Sequence, residues 1–82
     1  MPPQKEATQY IQDLLASRRL AITPRTIQIE SKEWIVFEYR DREIRLDPAS
    51  GVWIRLGDEW KCLATPCNVS GGLRAVEFLS SE

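Results

Sequence analysis

The 82-residue chain contains no histidine, which removes the side chain that most often serves as a general base, a pH switch or a metal ligand. Its two cysteines cannot complete a four-ligand structural zinc site without histidine. Asp41, Asp47 and Asp58 each stand where a turn is expected, and they do not follow the spacing of a calcium-binding loop. We therefore expect a non-enzymatic protein with no cofactor and no bound metal ion.

The sequence also lacks an excess of one charge and a long apolar run. Eleven basic and twelve acidic residues give a net charge of -1, so no global positive field attracts nucleic acid or an anionic membrane. No apolar stretch approaches the length that spans a membrane, and the first residues lack the apolar core of a signal peptide. These absences predict a cytoplasmic protein with reduced thiols at Cys62 and Cys67, the alternative being a disulfide between them.

The remaining composition is that of a packed domain. Hydrophobic residues make up 43% of the chain and charged residues 28%, which is typical of soluble globular proteins. A chain of 82 residues can bury one modest core and no second one. Residues 1–82 are therefore predicted to form a single small domain.

The central part of the chain, from Glu33 to Ala64, alternates between apolar and polar residues in four short segments. These segments are EWIVFEYR, REIRLD, GVWIRL and EWKCLA. Alternation with a period of two is typical of strands that bury one face, and short turns between successive strands make them antiparallel. Thr26 to Glu30 alternates in the same way and predicts a first strand. The resulting meander of four or five strands is expected either to stay open or to close toward a small barrel.

The strand pairing can be proposed by requiring the apolar residues to share one face. This requirement pairs Tyr39 with Ile44, and Leu46 with Val52. The predicted inner face contains Ile35, Phe37, Tyr39, Ile44, Leu46, Val52, Ile54 and Leu56. On the outer face, the same registers predict the cross-strand charge pairs Glu38 with Arg45, Arg40 with Glu43, and Glu43 with Arg55.

The turn before the last strand leaves two alternatives. A two-residue Gly57-Asp58 turn places Trp60 beside Arg55 and Cys62 beside Trp53, on the outer face. A three-residue loop that includes Glu59 turns Trp60 and Cys62 inward instead. The sequence does not choose between these two turns.

Two terminal segments complete an α+β fold. Lys5 to Leu20 has apolar residues at helical spacing, so it predicts an amphipathic helix that ends before Thr23-Pro24 and packs on the inner face of the sheet. The C-terminal segment, LRAVEFLSSE, fits a short helix with Ser70 as its N-cap, and a strand is the alternative.

The candidate binding residues lie on the predicted outer face of the sheet. They are Trp34, Trp53, Trp60, Arg45 and Arg55. Tryptophan and arginine are enriched among the residues that dominate binding energy at protein interfaces, and arginine can stack on an indole ring. The structural alternative is that the C-terminal segment packs over these tryptophans as a second core layer.

The leading functional hypothesis is a protein-binding or accessory module. Its partner is either another protein or a second copy of the chain, bound through the tryptophan-arginine face or through the edge strand Thr26 to Glu30. An alternative is a single-stranded nucleic-acid binder on the same face, which the predicted pairing of three arginines with glutamates disfavours. A second alternative is a small thiol enzyme centred on Cys67, activated by a helix that begins near Ser70-Gly71-Gly72.

Overall fold

The computed structural model describes residues 3–81, apart from the side chain of Pro3, and has an α+β architecture. Its elements are α1 (Pro3–Ser17), β1 (Arg25–Ile29), β2 (Lys32–Tyr39), β3 (Arg42–Leu46), β4 (Val52–Leu56), β5 (Glu59–Ala64) and α2 (Val69–Ser80). The strands form one antiparallel sheet in the order β1-β2-β3-β4-β5. The predicted meander is thus confirmed, whereas closure into a barrel and a C-terminal strand are both wrong.

The register agrees with the prediction between β3 and β4 and differs between β2 and β3. Leu46 pairs with Val52, as predicted, and in the same register Ile44 pairs with Ile54. The two-residue Gly57-Asp58 turn is the correct alternative. Between β2 and β3, however, the partner of Ile44 is Phe37, so the predicted pairing with Tyr39 is wrong by two residues. Because side chains alternate with a period of two, this shift leaves every residue on its predicted face.

The two-residue shift changes the charge pairs on the outer face. Glu38 lies opposite Glu43, and Arg45 lies opposite Val36, so the predicted Glu38–Arg45 pair is wrong. Arg40 lies in the turn before β3, where its φ is +59°, and so the predicted strand pairing of Arg40 with Glu43 is also wrong. The structure places Glu43 against an arginine of its own strand instead.

Both helices pack on the inner face of the sheet and share one hydrophobic core. The buried members of this core are Ala7, Ile11 and Leu15 of α1, Phe37, Ile44, Leu46, Val52 and Ile54 of the sheet, and Ala75, Val76 and Leu79 of α2. Ile35 and Tyr39 are only partly buried at its margin. Leu56 lies at the end of β4 on its predicted face, but it is 48% exposed and does not join the core.

The first helix ends three residues earlier than predicted. It ends at Ser17 rather than Leu20 because Arg19 takes a left-handed conformation with φ of +61°. The amide of Leu20 then donates to the carbonyl of Leu15 at 2.9 Å, as in a Schellman turn. The proline at position 24 therefore follows the end of the helix without causing it.

The second helix begins at Val69, and its N-cap is Asn68 rather than Ser70. The Asn68 side chain accepts a hydrogen bond from the amide of Gly71 at 2.6 Å. Gly71 and Gly72 lie in the first turn of α2. Neighbouring residues leave no room for a side chain at either position. A Cβ on Gly71 would lie 2.7 Å from Cβ of Ala64, and one on Gly72 would lie 2.5 Å from the ring of Tyr10.

The position of α2 decides what covers the tryptophans. Because α2 joins α1 in the core on the inner face, it does not pack over the outer face. The predicted alternative of a second core layer beneath the C-terminal segment is therefore wrong. Within residues 3–81, the outer face of the five-stranded sheet has no helix packed on it.

Candidate functional site

The candidate site is the outer face of the sheet, which we call the indole face. Its central residues are Trp34 and Val36 on β2, Arg45 on β3, Trp53 and Arg55 on β4, and Trp60 on β5. The registers bring them together: Arg45 lies between Val36 and Trp53, and Arg55 lies beside Trp60. The five residues predicted from the sequence therefore share one face, as expected from strand alternation.

The indole face is tightly packed although no helix of the described chain lies on it. Val36 is 1% exposed, so the long side chains of the face itself must cover it. Its neighbours in the sheet are Arg25 on β1 and Arg45 on β3. All three tryptophans are partly buried and partly exposed. The face is consequently a preformed surface of aromatic rings rather than a set of loose side chains.

A salt bridge and a cation–π contact hold Arg45 in the middle of this face. Its Nε lies 2.7 Å from Oε2 of Glu43, which is 5% exposed, and its guanidinium carbon lies 4.2 Å from the ring centre of Trp60. A guanidinium between a carboxylate and an indole loses most of its freedom to move. Arg45 therefore fixes the position of Trp60 and neutralises a buried carboxylate.

Asp47 fixes a second tryptophan. Its Oδ2 accepts a hydrogen bond of 2.9 Å from Nε1 of Trp53, while its Oδ1 accepts from the amides of Ala49 and Gly51 at 2.8 and 2.7 Å. One carboxylate thus closes the loop between β3 and β4 and orients an indole on the indole face. The sequence identified Asp47 as a turn residue, but its contact with Trp53 depends on the fold of the loop.

The other arginines of the outer face also have partners. Arg55 Nη2 donates to the carbonyl of Asp41 at 2.8 Å, and Arg25 Nη2 lies 3.7 Å from Oε1 of Glu38. The predicted register partner of Arg55 was Glu43, whose carboxylate binds Arg45 instead. The ion pairs compensate the charges of Arg25 and Arg45, whereas Arg55 keeps its positive charge because its partner is a neutral carbonyl.

Cys67 lies on the opposite side of the molecule, at a cavity of about 410 Å³. The cavity is lined by Glu6, Ala7, Tyr10, Ser50, Pro66, Cys67, Asn68 and Val69. Burial raises the pKa of the Cys67 thiol, which is the opposite of the shift that produces a reactive thiolate at neutral pH. The Ser50 hydroxyl has no hydrogen-bond partner within residues 3–81, and its oxygen is closed off from solvent. This side supplies an apolar cavity whose thiol is not activated by a lowered pKa.

In the Ser70-Gly71-Gly72 segment, the amides of the two glycines are not free to bind an anion. The amides of Gly71 and Gly72 donate to the side chain and the backbone carbonyl of Asn68, at 2.6 and 2.9 Å. Across residues 3–81, no three His, Cys, Asp or Glu side chains are grouped to hold a metal ion. Neither helix in the same range is long and apolar enough to cross a membrane.

Comparisons of the chain with protein-family models, with curated proteins and with solved structures found no match. A functional assignment must therefore come from the geometry of the indole face itself.

Proposed function

We propose that this chain is a non-enzymatic protein-binding module and that the indole face is its binding surface. The observation that carries the proposal is that three tryptophans share a sheet face on which no helix of residues 3–81 packs. Aromatic rings that are fixed before binding lose little conformational entropy when a partner covers them. The contacts of Arg45 and Asp47 supply this preorganisation for Trp60 and Trp53.

The charge of the indole face favours a protein partner over nucleic acid. A single-stranded nucleic acid would need cations that are free to follow its phosphates. Arg25, Arg45 and Arg55 instead contact Glu38, Glu43 and the carbonyl of Asp41. A protein surface of mixed polarity can bury the indoles without displacing these contacts.

Photo-crosslinking tests the proposal in cells of the source organism. A benzophenone amino acid is placed at Glu38, whose side chain is 51% exposed on the outer face, and a matched variant carries it at Gln9, which is exposed on α1. We expect discrete protein adducts from position 38 that are absent from position 9, and mass spectrometry identifies the captured chain. Equal labelling from both positions, or none from position 38, would contradict the proposal.

A fluorescence titration separates protein binding from nucleic-acid binding. Labelled single-stranded oligonucleotides are titrated with purified protein at about 20 mM salt, where phosphate contacts are strongest. We expect no saturable binding because the cations of the face are engaged. Saturable binding that weakens as salt is raised would instead support the nucleic-acid alternative.

A further inference from the structure

We infer that the partner of the indole face is a second copy of this chain, packed sheet against sheet about a two-fold axis. This inference rests on the proposed function and adds the identity of the partner. Three properties of the face carry it: its size, its charge balance and its shape.

The size of the indole face suits a small dimer interface. Five strands spaced about 4.8 Å apart and about five residues long give a projected area of roughly 400 Å² before the relief of the side chains is counted. This is of the same order as the roughly 800 Å² that each partner buries in a specific protein complex of standard size. At about half of that area per copy, a face-to-face dimer would bury less surface than stable interfaces do and would be weak and transient, with dissociation constants in the micromolar range or above.

Two of the three arginines on the face, Arg25 and Arg45, are paired with carboxylates, which limits the repulsion between two identical surfaces. In a two-fold interface the same patch meets itself, so a surface of one sign would repel its copy. The outer face instead carries ion pairs, Arg45 with Glu43 and Arg25 with Glu38. Arg55 donates to a neutral carbonyl and keeps its charge, so the two-fold arrangement must hold the two copies of Arg55 apart.

The shape of the face also suits sheet packing. The strands form a single open layer with both helices on the other side, and two such layers can stack about 10 Å apart with their strands at a small angle. In that arrangement the indoles of each copy are covered by the other copy. The two helical layers then lie on the outside of the dimer.

The two cysteines provide an internal test because they lie on opposite sides of the molecule. Cys62 is exposed on the outer face beside Trp53, whereas Cys67 packs against the core on the helical side. Alkylation rates of both thiols are measured in the wild-type protein from about 1 to 500 μM, a range that spans micromolar dissociation constants. We expect the Cys62 rate to fall as concentration rises while the Cys67 rate stays constant.

Sedimentation equilibrium over the same range measures the mass directly. We expect the wild-type mass to rise from 9.4 kDa toward twice that value. Trp34→Lys should weaken association at least tenfold. The matched variant Val69→Lys, which changes a 66% exposed apolar residue on the helical side, should associate like the wild type.

The outcomes distinguish this inference from the proposed function. A monomer at every concentration would overturn the second-copy inference, while adducts with other proteins from position 38 would still support a binding module. A dimer in which Cys62 is alkylated as fast as in the monomer would place the contact elsewhere and would also overturn the inference. Because the alkylation series uses the wild-type protein, it decides the question even where Trp34→Lys fails to fold.

Discussion

Asp47 connects the loop between β3 and β4 to the indole face, and its removal should affect both. Asp47→Ala removes the acceptor for the amides of Ala49 and Gly51 and for the Trp53 indole. Hydrogen bonds to a charged group contribute about 1.5–3 kcal/mol each, and the loop can recover part of the loss with water. We expect a loss of about 2 kcal/mol in the free energy of unfolding and altered tryptophan fluorescence, measured by urea titration.

A second turn aspartate provides the control. Asp41 lies exposed in the turn between β2 and β3, and it is its backbone carbonyl that accepts from Arg55. Asp41→Ala keeps that carbonyl, so we expect a change within about 0.5 kcal/mol, as for ordinary surface substitutions. Equal effects at positions 41 and 47 would show that the Asp47 contacts do not hold the loop.

Two ion pairs on the outer face should contribute very differently to stability. Arg45→Ala leaves the Glu43 carboxylate, whose side chain is 7% exposed, without its cation, so we expect a loss of about 1–3 kcal/mol. Arg25→Ala breaks a pair at 3.7 Å whose side chains are 60% and 51% exposed, and a change below about 1 kcal/mol is expected. Urea denaturation of both variants measures the difference.

The double variant Glu43→Gln/Arg45→Ala tests the cause of that loss. Glu43→Gln removes the buried negative charge that Arg45 neutralises. The double variant should therefore be more stable than Arg45→Ala alone. If the double variant is no more stable, the contribution of Arg45 comes from its packing on Trp60 rather than from the neutralisation of Glu43.

At the scale of strands, the sequence predicted faces better than it predicted partners. The apolar alternation decides which side each residue occupies, and a two-residue shift between β2 and β3 leaves this unchanged. The predicted register favoured an attractive Glu38–Arg45 pair across the strands. The protein instead tolerates Glu38 opposite Glu43, because Arg25 from β1 and Arg45 from β3 each neutralise one of the carboxylates. The compensation by Arg25 depends on the β1–β2 register, which the sequence pattern left undefined.

At the scale of helices, Gly71 allows α2 to approach β5. Gly71→Ala places a Cβ against Cβ of Ala64, an atom bonded directly to the backbone, and relief therefore requires movement of the helix or strand. Overpacking of this kind costs about 1–3 kcal/mol and outweighs the roughly 1 kcal/mol by which alanine is the better helix former. We expect Gly71→Ala to lower the thermal unfolding midpoint. Ser70→Ala, at an exposed position in the same helical turn, should leave it unchanged or raise it slightly.

At the scale of the molecule, the composition of the candidate site was predictable but its accessibility was not. Alternation along the strands placed Trp34, Trp53 and Trp60 on one face. Whether that face is bare depends on which side of the sheet α2 occupies, and the apolar stripe of α2 fits either side. The close approach of Gly71 to Ala64 and of Gly72 to Tyr10 accompanies packing beside α1, and these are contacts between segments distant in the sequence.

The single shared core makes a prediction about unfolding of the whole chain. The helices lie on one side of the sheet and the tryptophans on the other, but both depend on the same strands. We therefore expect helical circular dichroism and tryptophan fluorescence to report the same urea midpoint, with a slope of about 1 kcal/mol/M for a domain of this size. If the indole face also pairs two copies, both midpoints should rise together with protein concentration, because dimerisation stabilises only the folded chain. A fluorescence transition that precedes the loss of helix would show that the indole face opens independently, and the face would then lack the preorganisation on which the proposed binding function depends.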